Sequence, residues 1–202
     1  MTKIKLCGLS RPCDIEAANK IKPDFVGFVF AEKSKRYVTS QTAAKLKQLL
    51  SSGILAVGVF VNETTEKIAD LANNGIIDIV QLHGNEDECY IRQLKRLTDK
   101  PIIKAFRMET KNDIAFMEQC SADYILLDSG AGSGATFDWD LIQDIHRPYF
   151  LAGGLDIENA ENAVRRLSPY AVDVSSGIET DGLKDKTKMA AFAAAVRKEE
   201  KI

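Results

Sequence analysis

The chain has 202 residues, 45% of them hydrophobic and 28% charged, with 27 Lys and Arg against 29 Asp and Glu. A formal charge of −2 offers no basic field for nucleic acid or an anionic membrane, and the longest apolar run, 54–61, is too short to span a bilayer. The first residues, MTKIKLCGLSRPC, contain no apolar core of a secretory signal, so the expected location is the cytoplasm.

Short apolar runs alternate with amphipathic segments along the whole chain. Strands are predicted at 3–7, 24–30, 54–61, 77–82, 101–106, 123–128, 148–152 and 171–175. Runs such as FVGFVF and YILL are apolar without alternation, as expected of parallel strands covered on both faces. Helix-length segments lie between them. The 40–50 segment has Thr39 as a plausible N-cap, 63–74 runs into Gly75, and 157–167 follows Asp156 as a cap and ends before Pro169.

Successive strand starts are separated by about 24 residues on average, the length that a strand, a helix and two short loops need. Two architectures fit eight such units: an open doubly wound sheet and a closed barrel. The open sheet would carry a GxGxxG turn after its first strand, but Cys7-Gly8-Leu9-Ser10-Arg11 stands there. No linker or change in composition divides the chain. The expectation is an α/β fold, a single (β/α)8 TIM barrel of near-minimal size over residues 1–202, with eight helices.

The cysteines at 7, 13, 89 and 120 and the histidines at 83 and 146 have no zinc-ligand spacing, and a non-secreted chain argues against disulfides. No metal is expected. In a barrel of this kind the active site lies at the C-terminal ends of the strands. Cys7, Arg36, His83, Asp128, Gly153, Gly154 and Asp173 to Gly177 meet that condition, whereas structural roles suffice for Cys13, Cys89, Cys120 and His146. Two loops exceed what the fold requires: 31–38, rich in charge, and 129–136, SGAGSGAT. They read as ligand-gripping loops or as solvated connectors.

The strand ends at LAGGL (151–155) and DVSSGIE (173–179) carry Gly153 and Gly154, then Ser175, Ser176 and Gly177. Glycine-rich turns after strands seven and eight, at helix starts, suit a phosphate; as a bare structural feature they are tight turns needing positive φ. Cys7 and Asp128 end strands one and six, across the barrel from one another. Lys5 shares a face with Cys7 and is expected to lower its pKa, while the apolar run before Asp128 is expected to raise the carboxyl. A base and an acid on opposite sides of a small substrate form an isomerase geometry. A lone Cys at a strand end is more often a small buried hydrophobe than a catalytic group.

The motifs KLCG (5–8), VGFVF followed by SKRYV (34–38), VGVFVN (57–62), VQLHG (80–84), LLDS (126–129), GSG (132–134) followed by FDW (137–139), LAGGL and DVSSGIE followed by GLKD (182–185) together resemble the phosphoribosylanthranilate isomerase family of tryptophan biosynthesis. The chain departs from the family at Leu6, where Ile is usual, and at 131–134, where AGSG stands for GGTG. The resemblance implies an aldose–ketose isomerase, an intramolecular oxidoreductase, acting without metal or cofactor. It converts N-(5-phosphoribosyl)anthranilate to 1-(2-carboxyphenylamino)-1-deoxyribulose 5-phosphate, the third step from chorismate to tryptophan.

By that resemblance Asp128 is the general acid and Cys7 the general base. Arg36 holds the anthranilate carboxylate, the backbone around Gly153, Gly154, Ser175, Ser176 and Gly177 takes the phosphate, and Asp173 bonds a ribose hydroxyl or supports the polar barrel interior. His83 lines the mouth as a substrate contact or a structural hydrogen-bonding group. The expected partner is a small phosphosugar, not nucleic acid or membrane, and the chain is expected to be a monomer or homodimer. Two other readings stand beside this one. The related phosphoribosyl isomerase of histidine biosynthesis is expected to pair two aspartates, against which Cys7 argues. A non-catalytic phosphosugar-binding barrel would leave Cys7 and Asp128 merely buried.

Overall fold

Eight parallel strands close into a barrel in chain order: β1 (Lys3–Cys7), β2 (Phe25–Val29), β3 (Leu55–Phe60), β4 (Ile79–Leu82), β5 (Ile102–Arg107), β6 (Tyr124–Asp128), β7 (Tyr149–Leu151) and β8 (Ala171–Val174). The computed structural model describes residues 1–108, 113–128, 139–142 and 145–198, so the 129–136 glycine loop lies outside the described residues. All eight strands fall within the ranges that the apolar runs predict, apart from one residue at the end of β5. Closure is made by β1 against β8, with Lys5 opposite Asp173.

The strands are apolar on both faces because each face has its own core. Ile4 and Leu6 of β1 join the outer layer between sheet and helices, together with Val26, Phe28, Val80 and Leu82. Phe25, Val57, Ile79, Ile103, Leu126, Phe150 and Ala171 fill the barrel interior. Alternation along β1 therefore leaves Lys5 and Cys7 to the interior, and Cys7 packs with Val29 and Val59 near its C-terminal mouth.

The described residues contain seven α-helices: α1 (Pro12–Ile21), α2 (Ser40–Leu49), α3 (Thr65–Asn73), α4 (Glu88–Lys95), α5 (Asp113–Gln119), α6 (Ala160–Leu167) and α7 (Lys186–Lys198). None is long and apolar enough to cross a membrane. Thr39 caps α2 as expected, its hydroxyl accepting from the Thr42 amide at 3.1 Å. Gly75 follows α3 with a φ of +72°, the left-handed geometry that ends a helix.

Three differences from the sequence reading have local causes. Between β6 and β7 the described residues contain a 3-10 turn, Trp139–Ile142, in place of an eighth α-helix; Trp139 and Ile142, three apart, are both buried, as the tighter turn allows. The helix after β7 starts at Ala160 because Asp156 Oδ1 accepts from the Glu158 and Asn159 amides and forms a separate turn first. After β8 a two-stranded hairpin appears, β9 (Glu179–Thr180) with β10 (Leu183–Lys184). Its turn is Asp181-Gly182 with φ of 52° and 77°, and Asp-Gly is a favoured pair where both central residues need positive φ.

Candidate active site

A cavity of about 490 Å³ opens at the C-terminal mouth of the barrel. Cys7, Arg36, His83, Asp128, Gly153, Gly154, Asp173, Ser175 and Ser176 all line it, so nine of the ten residues to which the resemblance gives a place in the site converge there. Gly177 is the exception. It packs behind the wall, where a Cβ would lie 2.1 Å from the Leu155 carbonyl oxygen, so it lets the turns after β7 and β8 touch. Two other clefts lie at the opposite end, around Ser168 and Tyr170, and neither is lined by a carboxylate or a thiol.

Cys7 ends β1 and is 8% exposed. Below it, Lys5 is fully buried and donates to Asp173 Oδ2 at 2.7 Å across the β1–β8 seam. Burial alone would lower the Lys5 ammonium, but Asp173 and Cys7 outweigh it and hold the group above the usual lysine value. The Cys7 thiol departs from expectation. Burial pushes it up more strongly than Lys5 and Lys184 pull it down, with Asp173 adding to the rise, so its pKa is raised rather than lowered. The second Asp173 oxygen, Oδ1, is buried without a hydrogen bond to the described residues.

Asp128 ends β6, and its Oδ2 lies 3.2 Å from His83 Nε2. His83 follows β4, and its Nδ1 lies 2.9 Å from the Gln81 side-chain nitrogen. Gln81 is an inward-facing residue that lines the same cavity and that the sequence reading did not select. The signal was present, since a buried glutamine two residues before His83 shares its face of the strand.

Arg36 comes from the long loop after β2. Its Nε and Nη2 donate to the two oxygens of Glu179 at 2.6 and 2.8 Å, a bidentate fork. Glu179 and its partner Lys184, both in the β9–β10 hairpin, were not selected from the sequence either. Burial pushes the Glu179 carboxyl up, but hydrogen bonds from Arg36 and Lys184 hold it below the usual carboxylate range. Burial lowers the Lys184 ammonium, and Glu179 recovers only part of that shift.

In the turn after β7, Gly153 and Gly154 adopt φ of 81° and 64°. They stand six and more residues ahead of α6, so the turn itself, not the start of that helix, faces the cavity. Ser175 donates its hydroxyl to the Cys7 carbonyl at 3.2 Å, linking the ends of β8 and β1. The chemistry available here is proton transfer between a thiol and a carboxyl, beside a cationic fork and a glycine-rich turn.

Comparison with known proteins identifies relatives of the chain. The family model described as N-(5'phosphoribosyl)anthranilate (PRA) isomerase matches residues 4–195. The N-(5'-phosphoribosyl)anthranilate isomerase of Endomicrobium trichonymphae is 46% identical over 194 residues, covering 94% of this chain and 95% of that protein. The crystal structure of phosphoribosyl anthranilate isomerase from Thermus thermophilus superposes with a TM-score of 0.89 at 30% identity, covering 98% of this chain and all of that one. A phosphoribosyl anthranilate isomerase in complex with reduced 1-(o-carboxyphenylamino)-1-deoxyribulose 5-phosphate gives 0.85 at 36% identity, with the same coverage. The chain belongs to the N-(5'-phosphoribosyl)anthranilate isomerase family.

Proposed function

We propose that Cys7 and Asp128 are the base and acid with which this chain isomerises N-(5-phosphoribosyl)anthranilate to 1-(2-carboxyphenylamino)-1-deoxyribulose 5-phosphate. The observation that carries the reading is their convergence on one cavity with Arg36 and the two glycine-containing turns. Asp128, as the carboxylic acid, donates its proton to the furanose ring oxygen. The ring C–O bond breaks and the anomeric carbon becomes a protonated Schiff base. Cys7, as thiolate, takes the proton from C2, and the electron pair forms the enolamine, which tautomerises to the ketose.

Arg36 holds the anthranilate carboxylate, a task suited to a planar fork. Backbone amides around Gly153, Gly154, Ser175 and Ser176 hold the phosphate, whose charge matches the amide-rich turns, and Gly177 behind them lets the two turns close together. Asp173 Oδ1 accepts a ribose hydroxyl, which satisfies a buried acceptor without a bond to the described residues. The same reading takes residues 1–202 as one catalytic domain, working in the cytoplasm as a monomer or homodimer on a small phosphosugar.

The test is loss of phosphoribosylanthranilate fluorescence with purified protein and with the Cys7→Ala and Asp128→Asn variants. Each variant is expected to lose at least about 10²-fold in turnover while keeping the far-UV circular dichroism of the parent. Near-parental turnover in either removes that residue from its role. Substrate binding without turnover in the parent protein would favour a binding module.

A further inference from the structure

The β9–β10 hairpin stands outside the barrel wall, yet it touches two residues of the cavity lining, Arg36 and Ser175. Glu179 Oε1, which takes Arg36 Nε, also accepts from Lys184 Nζ at 2.6 Å. The same Nζ donates to the Ser175 carbonyl at 2.8 Å and to its hydroxyl at 3.2 Å. These are interior contacts, since the Lys184 side chain is 2% exposed and that of Glu179 10%. Arg36 is fixed from its other side as well. A Cβ on Gly8 would lie 2.4 Å from Arg36 Cδ, so the arginine stem rests on the backbone directly after Cys7.

Stem and fork together leave the guanidinium little freedom. Nε and Nη2 are committed to Glu179, while Nη1 makes no hydrogen bond to the described residues and Arg36 lines the cavity. An incoming carboxylate therefore meets the Nη1 end of a plane already oriented. Charge poses a second requirement. Arg36 and Glu179 alone form a neutral pair, and the glutamate would repel a carboxylate approaching its partner. Lys184 returns the group to one net positive charge without entering the cavity lining.

We infer that Glu179 and Lys184 are positioning residues that aim Arg36 at the carboxylate of the ligand's aromatic end, and that Lys184, through Ser175, ties this grip to the phosphate turn. The inference rests on the reading that Arg36 holds that carboxylate. One hairpin would then register the two anionic ends of a single ligand against each other.

Steady-state kinetics on phosphoribosylanthranilate, with inorganic phosphate as competitive inhibitor, test it. Glu179→Gln is expected to raise KM about tenfold, keep kcat within about twofold and leave the inhibition constant for phosphate unchanged. Glu179→Asp, which keeps the charge, is expected to recover part of the KM. In an Arg36→Ala background Glu179→Gln should add nothing, because its effect passes through the arginine. Lys184→Met is expected to raise KM and weaken phosphate inhibition together, and Lys184→Arg to restore both in part. An unchanged KM in Glu179→Gln, or a full further increase on top of Arg36→Ala, overturns the positioning role. Unchanged phosphate inhibition in Lys184→Met overturns the tie to the turn. An unchanged KM in Arg36→Ala alone defeats the underlying reading of Arg36, a result separable from failure of the pair.

Discussion

His83 bridges Asp128 and Gln81, with Nε2 3.2 Å from Asp128 Oδ2 and Nδ1 2.9 Å from the Gln81 side-chain nitrogen. If the Gln81 amide donates to Nδ1, the ring proton sits on Nε2 and points at an ionised Asp128. Turning the amide over reverses the chain: Nδ1–H donates to the Gln81 oxygen, and Nε2 accepts from a protonated Asp128. In the first arrangement Gln81 Oε1 is buried without a hydrogen bond to the described residues, so among these neither state satisfies the amide completely. Both protonation states of Asp128 are thus accommodated by one histidine.

Gln81→Met removes the group that selects the tautomer while conserving volume. The expected result is a fall in kcat of about tenfold or more, a part of the ~10²–10⁴ that a positioned general acid supplies, with KM nearly unchanged. His83→Asn should lower kcat further. Parental kcat and an unaltered pH profile in both variants would show that the bridge is idle.

Lys5 bears on the other half of the proposed reaction. The Cys7 thiol lies above its ordinary range because burial outweighs the cations near it. A thiolate base makes kcat/KM rise as pH rises through that pKa. A nearby cation favours the thiolate, so replacing Lys5 by Met should move this alkaline limb to still higher pH and lower activity near pH 7. Initial rates across the pH range check the direction, and a limb displaced to lower pH would contradict it.

What the sequence disclosed depended on how local the signal was. The strands were visible as continuous apolar runs because both barrel faces are buried, and Cys7 and Asp128 were visible because polar residues end such runs. The Lys184–Glu179–Arg36 chain was not, because its contacts join positions 36 and 179, far apart in the chain, and no periodicity encodes such a contact. The Asp181-Gly182 pair that turns the hairpin carrying two of those residues was a local signal, but the sequence reading did not use it. The expected lowering of the Cys7 pKa failed because proximity of a cation is readable from alternation, whereas the depth of burial is not.

Gly177 lets the turns after β7 and β8 meet, since a Cβ there would lie 2.1 Å from the Leu155 oxygen and 2.9 Å from Asp156 Cα. Both atoms belong to backbone, so the clash is relieved only by parting the turns. Gly177→Ala is expected to cost about 1–3 kcal/mol in stability by overpacking and to raise KM through the displaced phosphate turn. Urea unfolding and steady-state kinetics measure the two effects, and an alanine variant of parental stability and KM would refute the close-packing argument.

Glu86 and Lys104 form a buried pair beside the mouth, at 2.8 Å, with side chains 1% and 6% exposed. Glu86 also accepts from the Asn62 amide at 2.7 Å and the Gly84 amide at 2.9 Å, while Lys104 donates to the Gly84 carbonyl at 2.7 Å. The pair therefore clasps the loops after β3 and β4 to β5, next to His83. Burial pushes the Glu86 carboxyl up, but Lys104 and the Asn62 amide outweigh it and leave the pKa below the ordinary carboxylate value. A folded pKa lowered in this way adds stability that is complete above the unfolded pKa and is lost as pH falls through the folded one. Glu86→Gln leaves Lys104 buried without its anion, which should cost about 3–5 kcal/mol near pH 7. Protonated Glu86 in the parent resembles the glutamine, so the difference should shrink as pH is lowered toward about 3. Denaturant unfolding of both proteins at the two pH values decides the matter. An equal difference at both would mean that the carboxylate charge does not hold the loops.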